Sequence, residues 1–360
     1  MLGNRKVIVD THCEVYSAIK HLADDIFWDF GEHVNKTQIV PGAVYVIGRE
    51  QMQKNSAQIR ELVVSNTIDV VFSNPAEGSE TINNHCARYG ILDLVRAKKI
   101  PVITGGDQEP TWNYLQYDSF LPKLLDYQEN LQAIQEYTNN YSTVRPYKFL
   151  FLNGRGRSHR RYLLEKLQPV LDQAIWTNLD TVNGQIKLLD PQYEIDQLVA
   201  NMGNLPVTGF VKHKLFDNIW ADVLLKSNLY LDSYFSLVTE TVHDYPYSFR
   251  TEKIWKPIAI GHPWIVSANC GFYRDLRNMG FQTFDGIIDE SFDLIDNNRA
   301  RIDRLIAVVN DLCQQDLASF LDSCYNVCKY NQQHLEELGS QVRKDFPERF
   351  VHFITSHVTD

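Results

Sequence analysis

Tyr147-Lys148-Phe149-Leu150-Phe151-Leu152-Asn153-Gly154-Arg155-Gly156-Arg157-Ser158-His159-Arg160-Arg161 sits near the middle of the chain. Its first part is an apolar run of strand length that ends on a glycine. A helical pattern over about 158–170 follows at once. Strand, glycine turn and helix together form the repeating unit of a parallel α/β sheet. Upstream, the runs KVIVD (6–10), AVYVIG (43–48), TIDVVFSNP (67–75) and IPVITGG (100–106) alternate with amphipathic stretches at about 50–64 and 80–98. A leucine-bearing helix candidate at 119–138 leads into the polar stretch TNNYSTVRP (138–146), which reads as a linker. Downstream the pattern restarts: 227–240 contains a strand, 251–261 begins like a helix, and 262–268 is strand-like. From about 299 onward the pattern is long and helical.

The expected fold is therefore α/β, with two Rossmann-like domains, a cleft between them and a helical C-terminus. The expected boundaries are 1–140 for the first domain and 147–340 for the second, with 341–360 a helix that returns to the first. A length of 360 residues suits two domains rather than one. Hydrophobic residues make up 44% and charged residues 22%, which is enough apolar surface for packed cores and argues against wholesale disorder. In open α/β sheets, ligands bind beyond the carboxyl ends of the strands, so strand-end motifs carry the functional reading.

A net charge of −10 makes the chain a poor general partner for nucleic acid or anionic membranes. No apolar run reaches the roughly 18–20 residues that a membrane helix needs. The start, MLGNRKVIVDTH, reads as the first strand of a folded domain, so the expected location is cytoplasmic. The six cysteines, Cys13, Cys86, Cys270, Cys313, Cys324 and Cys328, include no CxxC pair and read as free buried thiols. No D-x-D element stands in a convincing loop, and His12, His243 and His262 have no metal-like spacing, so no metal is expected.

Within this acidic chain, Arg155, Arg157, Arg160 and Arg161 place four arginines in seven residues where the strand meets its helix. Helix N-termini bind anions, glycine lets backbone approach a phosphate, and arginine adds bidentate contacts. The competing reading is a solvated basic turn. Asn153, Arg155, Arg157 and Arg160 are the phosphate-binding candidates here. In Arg250-Thr251-Glu252-Lys253-Ile254-Trp255-Lys256-Pro257, Thr251 reads as a helix cap. Glu252 suits ribose hydroxyls, and Lys253 and Lys256 suit phosphate; helix capping alone also accounts for the pattern. Glu240, after an apolar strand, is a candidate for sugar hydroxyls or simply a loop residue. Asp107 and Glu109, after the strand IPVIT, are candidates for the general base of a hydroxyl acceptor, with a turn as the plainer alternative.

Three of these segments resemble the α-1,3/4-fucosyltransferases, inverting enzymes of the GT-B fold that use GDP-fucose. Asp69-Val70-Val71-Phe72-Ser73-Asn74-Pro75, with Thr104-Gly105-Gly106-Asp107 and Pro110 further on, resembles the family's first-domain strands and T-G-E-N run. Phe149 to Asn153, with Arg160 opening a helix to Leu167, resembles the start of its donor domain. Phe235-Ser236-Leu237-Val238-Thr239-Glu240 followed by Thr251-Glu252-Lys253 resembles its F-x-x-x-x-E-N and V-T-E-K signature. The resemblance implies transfer of fucose from GDP-fucose to a hydroxyl, with inversion and without a metal or other cofactor. It puts Arg160 and Lys253 on the diphosphate, Glu252 on the ribose and Glu240 near the transferred sugar. This sequence departs from the family in four places: Gly106 stands at the family's glutamate, which leaves neighbouring Asp107 as the substitute base; Thr241 stands where the signature has asparagine; the insert His243–Arg250 is longer than the signature gives; and the Gly154–Arg161 loop is denser in arginine. The acceptor would be a glycan or another hydroxyl compound. The alternatives are a phage-type glycosyltransferase acting on a modified DNA base, and a catalytically silent nucleotide-binding module.

Overall fold

The computed structural model describes residues 5–76, 81–106, 111–153, 157–182, 185–188 and 224–358. The chain forms two units: Met1–Pro122 together with Gly339–Asp360, and Lys123–Leu338. Each is an α/β unit built on a parallel sheet.

In the first unit six strands run in parallel: β1 (Val7–Asp10), β2 (Asp25–Phe27), β3 (Val44–Gly48), β4 (Asp69–Asn74), β5 (Val102–Thr104) and β6 (Tyr114–Gln116). Their spatial order is β2-β1-β3-β4-β5-β6. The chain moves outward from β1 to β2, then crosses back to β3 and proceeds the other way. The strand order thus reverses between β1 and β3, and a switch point of this kind leaves a crevice beyond the strand ends. Both faces of the sheet are covered, which is why its strands read as unbroken apolar runs. Ile8, Tyr45, Ile47, Val70 and Phe72 meet Met52, Ile59 and Val63 of the Arg49–Val64 helix on one face. Val7, Val9, Val44, Val46 and Val71 pack with Phe346, Phe350, Phe353 and Ile354 on the other. Those last four residues belong to the long helix Leu317–His357, whose end from Gly339 onward is part of this unit. A fully buried phenylalanine contributes about 1.5–3 kcal/mol, so the returning segment completes the core of this unit.

Gly48 closes β3 and stands at the N-cap of the Arg49–Val64 helix. A Cβ added there would lie 2.9 Å from Asp10 Oδ2 and 3.1 Å from the backbone Cα of Cys13. Gly48→Ala is expected to cost about 1–3 kcal/mol through overpacking, read as a lowered urea midpoint with an unchanged slope. An unchanged midpoint would show that the turn after β1 yields.

The second sheet has the order β11-β10-β7-β8-β9. β7 (Tyr147–Asn153), β8 (Ala174–Val182), β10 (Ser233–Thr239) and β11 (Trp264–Ser267) are parallel, and β9 (Gln185–Leu188) pairs antiparallel with β8. Here the order reverses between β7 and β10.

The boundary between the units falls earlier than the sequence reading places it. The Gln128–Asn139 helix, read as part of the first domain, belongs to the second unit. Asn130 Nδ2 donates to the Leu124 carbonyl at 2.6 Å, and its Oδ1 accepts from the Leu225 amide at 2.8 Å. The stretch read as a linker is no solvated tether either. Its Arg145 is 4% exposed and donates to the Ser233 carbonyl at 2.6 Å, the Tyr141 carbonyl at 2.9 Å and the Tyr137 hydroxyl at 3.1 Å. Polarity concealed this, because one buried arginine can satisfy several backbone carbonyls at once.

Candidate functional site

At the switch point of the second unit, β7 ends on Asn153 and β10 on Thr239. The Thr239 hydroxyl donates to Asn153 Oδ1 at 2.7 Å. Two helices begin beside these strand ends: Ser158–Leu167, which follows β7, and Glu252–Ile260, capped by the Thr251 hydroxyl. Each brings the positive end of its dipole to this edge.

One fully buried carboxylate ties the second helix to the end of β10. Glu240 is 0% exposed. Its Oε1 accepts from the Thr251 amide at 3.0 Å, and its Oε2 accepts from the Thr251 hydroxyl at 2.7 Å and the Thr241 amide at 3.2 Å. Burial pushes the Glu240 carboxyl above its ordinary range, and the nearby Lys253 charge and the Thr251 hydrogen bonds pull it back. Arg160 plays the matching part for the first helix. It is 3% exposed and donates to the Thr239 carbonyl at 2.9 Å and the Glu240 carbonyl at 3.2 Å. The resemblance puts Glu240 against a sugar and Arg160 on a diphosphate. Their burial and partners instead make them an interior brace that holds two helix N-termini to one strand end.

The groups that face outward are different ones. Lys253 Nζ is held by Glu252 Oε1 at 2.7 Å and the Thr251 hydroxyl at 3.1 Å, with 26% of its side chain exposed. Arg157 stands half-buried at the N-cap of the Ser158–Leu167 helix. Lys256 lies one turn beyond Lys253, also half-buried. Asp107, Glu109 and Arg155 lie outside the described residues.

Several buried polar atoms at this edge have no hydrogen-bond partner among the described residues: Asn153 Nδ2, Arg157 Nε, Arg250 Nε, Ser267 Oγ, Asn269 Oδ1 and His243 Nε2. Thr239 is in register with Ser267, so the ends of β7, β10 and β11 lie side by side. Native interiors leave few such atoms unpaired, and a cluster of them beyond three adjacent strand ends is the expected mark of a polar ligand's seat.

Sequence spacing discounts His243, and the structure brings it beside His159. The His159 and His243 rings stack with centroids 5.1 Å apart. His159 Nε2 donates to the Glu240 carbonyl at 3.1 Å. Burial, then the Arg160 charge, holds His159 well below the usual imidazole range. Burial and the Arg301 guanidinium push His243 down to about 3. Both rings are neutral at pH 7, so the fixed positive charge at this edge comes from arginine and lysine side chains and the helix ends. Nothing in sequence spacing joins these two histidines; only the β7–β10 pairing does.

No protein-family model, curated protein or solved structure matches the chain. Function is then carried by the chemistry of the site. Two helix N-termini with two lysines, one arginine and a cluster of unpaired donors and acceptors suit a compact polyanion joined to a hydrogen-bonding ring system. Among the described residues, no helix is long and apolar enough to cross a membrane.

Proposed function

We propose that this chain is a glycosyltransferase of the GT-B kind that binds a nucleoside diphosphate sugar at the β7–β10 switch point of its second unit. Two Rossmann-like units with parallel sheets are compatible with that fold. The observation that carries the reading is the gathering of the Ser158–Leu167 and Glu252–Ile260 helix starts at one strand edge. The diphosphate would lie across these N-termini with Lys253 and Arg157 as its cations. Glu252, 13% exposed and paired with Lys253, would take ribose hydroxyls. As the sugar–phosphate bond breaks, charge builds on the departing nucleotide, and pre-organised N–H groups and cations stabilise it without a metal. On the resemblance, the leading donor is GDP-fucose, and transfer inverts the anomeric centre.

A thermal-shift panel of nucleotides tests this. GDP or GDP-fucose at 100 times its dissociation constant should stabilise the chain by about 2.7 kcal/mol, with UDP, CMP and NAD inert. If no nucleoside diphosphate raises the midpoint, the donor assignment fails. Release of GDP in the presence of a hydroxyl acceptor then separates an enzyme from a silent binding module.

A further inference from the structure

Four arginines are buried among the described residues: Arg145, Arg160, Arg250 and Arg301. Three of them are bound into the fold. Arg145 serves the Ser233 and Tyr141 carbonyls, and Arg160 serves the Thr239 and Glu240 carbonyls. Arg301 donates to the His243 carbonyl at 2.6 Å, the Ile295 carbonyl at 2.7 Å and the Ala268 carbonyl at 3.0 Å. Arg250 differs from all three. It is 8% exposed, yet its guanidinium has neither a hydrogen-bond acceptor nor a carboxylate partner among the described residues. Buried charges in folded proteins are paired, because an unpaired one is costly to hold away from water. The unmatched guanidinium therefore lacks the anion that would balance it.

The position of Arg250 adds to this. It directly precedes Thr251, the N-cap of the Glu252–Ile260 helix, so it stands at the positive end of that dipole, where a cation is unfavourable. The segment around it is pinned. The Ser248 hydroxyl donates to Asp275 Oδ2 at 2.6 Å and accepts from Asn269 Nδ2 at 3.1 Å, while Thr251 is tied to Glu240. Of the three guanidinium nitrogens, only Nε is both sealed from solvent and unpartnered. The terminal pair is thus the open end of the fork, and two N–H groups there match two oxygens of one phosphate. Nearby Lys253 is already matched by Glu252 Oε1 at 2.7 Å. The V-T-E-K signature that this segment resembles has valine where Arg250 stands, so this charge belongs to the chain and not to the motif.

We propose that Arg250 is a phosphate-binding residue, whose guanidinium takes the diphosphate of the ligand in bidentate fashion at the start of the Glu252–Ile260 helix. The proposal rests on the transferase reading and gives its diphosphate a cation that no carboxylate has already answered. Ligand-free, the chain holds two features that oppose stability at one residue: a buried charge without a partner and a cation at a helix N-terminus. A bound phosphate removes both at once.

Thermal unfolding of the full chain, alone, with sodium pyrophosphate and with GDP, tests this. Arg250→Met keeps an unbranched stem and removes the charge. Without ligand it should raise the midpoint by about 2–4 °C, because apolar surface replaces an unpaired buried charge. The same change should weaken the binding of pyrophosphate and of GDP by about 10- to 150-fold, the range of one charge-assisted hydrogen bond. Arg250→Lys keeps the charge without the fork, and its affinities should fall between those of the unaltered chain and Arg250→Met. A midpoint lowered by Arg250→Met would make Arg250 a structural residue and overturn the proposal. Pyrophosphate that stabilises the unaltered chain but not Arg250→Met, with GDP inert, upholds the phosphate seat while the nucleotide-sugar reading falls. GDP that stabilises both chains equally leaves the donor reading in place and removes Arg250 from it. No stabilisation of the unaltered chain by either ligand overturns both.

Discussion

Arg160→Ala should destabilise the second unit by about 3 kcal/mol, whereas Lys253→Ala should leave stability within about 1 kcal/mol and remove most of the affinity for a nucleoside diphosphate. The two cations are neighbours in space but differ in surroundings. Arg160 is 3% exposed, and its guanidinium serves the Thr239 and Glu240 carbonyls. Truncation strips two buried acceptors of a charged donor and leaves a void beside them, each a recognised source of large losses. Lys253 has 26% of its side chain exposed and bonds only through its Nζ tip, to Glu252 and the Thr251 hydroxyl, serving no backbone carbonyl, so removing it touches stability less. A charge-assisted hydrogen bond to a phosphate oxygen is worth about 1.5–3 kcal/mol, which corresponds to roughly 10- to 150-fold in affinity. Urea unfolding and nucleotide titration of both variants separate these effects. The reverse pattern, a stable Arg160→Ala that cannot bind GDP and an unfolded Lys253→Ala, would return Arg160 to the diphosphate and reduce Lys253 to a structural role.

The contrast between these two residues marks how far the sequence could be read. Strands such as Val44–Gly48 and Tyr147–Asn153 were visible because a parallel sheet covered on both faces needs unbroken apolar runs. The short strands Asp25–Phe27 and Tyr114–Gln116 were not, since three residues carry no period. Thr251 was legible as a cap because capping is local. The brace formed by Glu240 and Arg160 was not, because it depends on which strand pairs with which. Pattern singled out both residues and assigned them outward-facing roles, since charged side chains are rarely buried unless paired. Asp10 was passed over for the same reason: only the turn after β1 makes it a brace.

Acid should weaken the second unit through its histidines, and His243 sets the size of the effect. Burial and the Arg301 charge hold this imidazole at about 3 against an ordinary value of 6.5. The unfolded chain therefore binds a proton that the folded chain refuses throughout that interval. A group depressed in this way contributes stability that is present above 6.5 and is lost as pH falls toward 3. Between pH 7 and pH 5 the loss from His243 alone is about 2 kcal/mol, from 1.36 kcal/mol per unit of pKa difference. His159 and His262 are also depressed, by burial first and then by neighbouring arginines, and add to the loss. Glu240 works against them. Its raised carboxyl contributes stability that is present at low pH and fades as pH rises through its folded value. The total pH dependence therefore mixes both signs, and a difference measurement isolates the histidine. His243→Gln keeps a polar side chain of similar size but has no proton to refuse. Native-state hydrogen exchange of the β7 and β10 amides, compared at pH 7 and pH 5, should show the unaltered chain losing about 2 kcal/mol more than His243→Gln. Equal losses in both would mean that the ring is protonated in the folded state, and that the β10 edge carries an additional positive charge for its ligand.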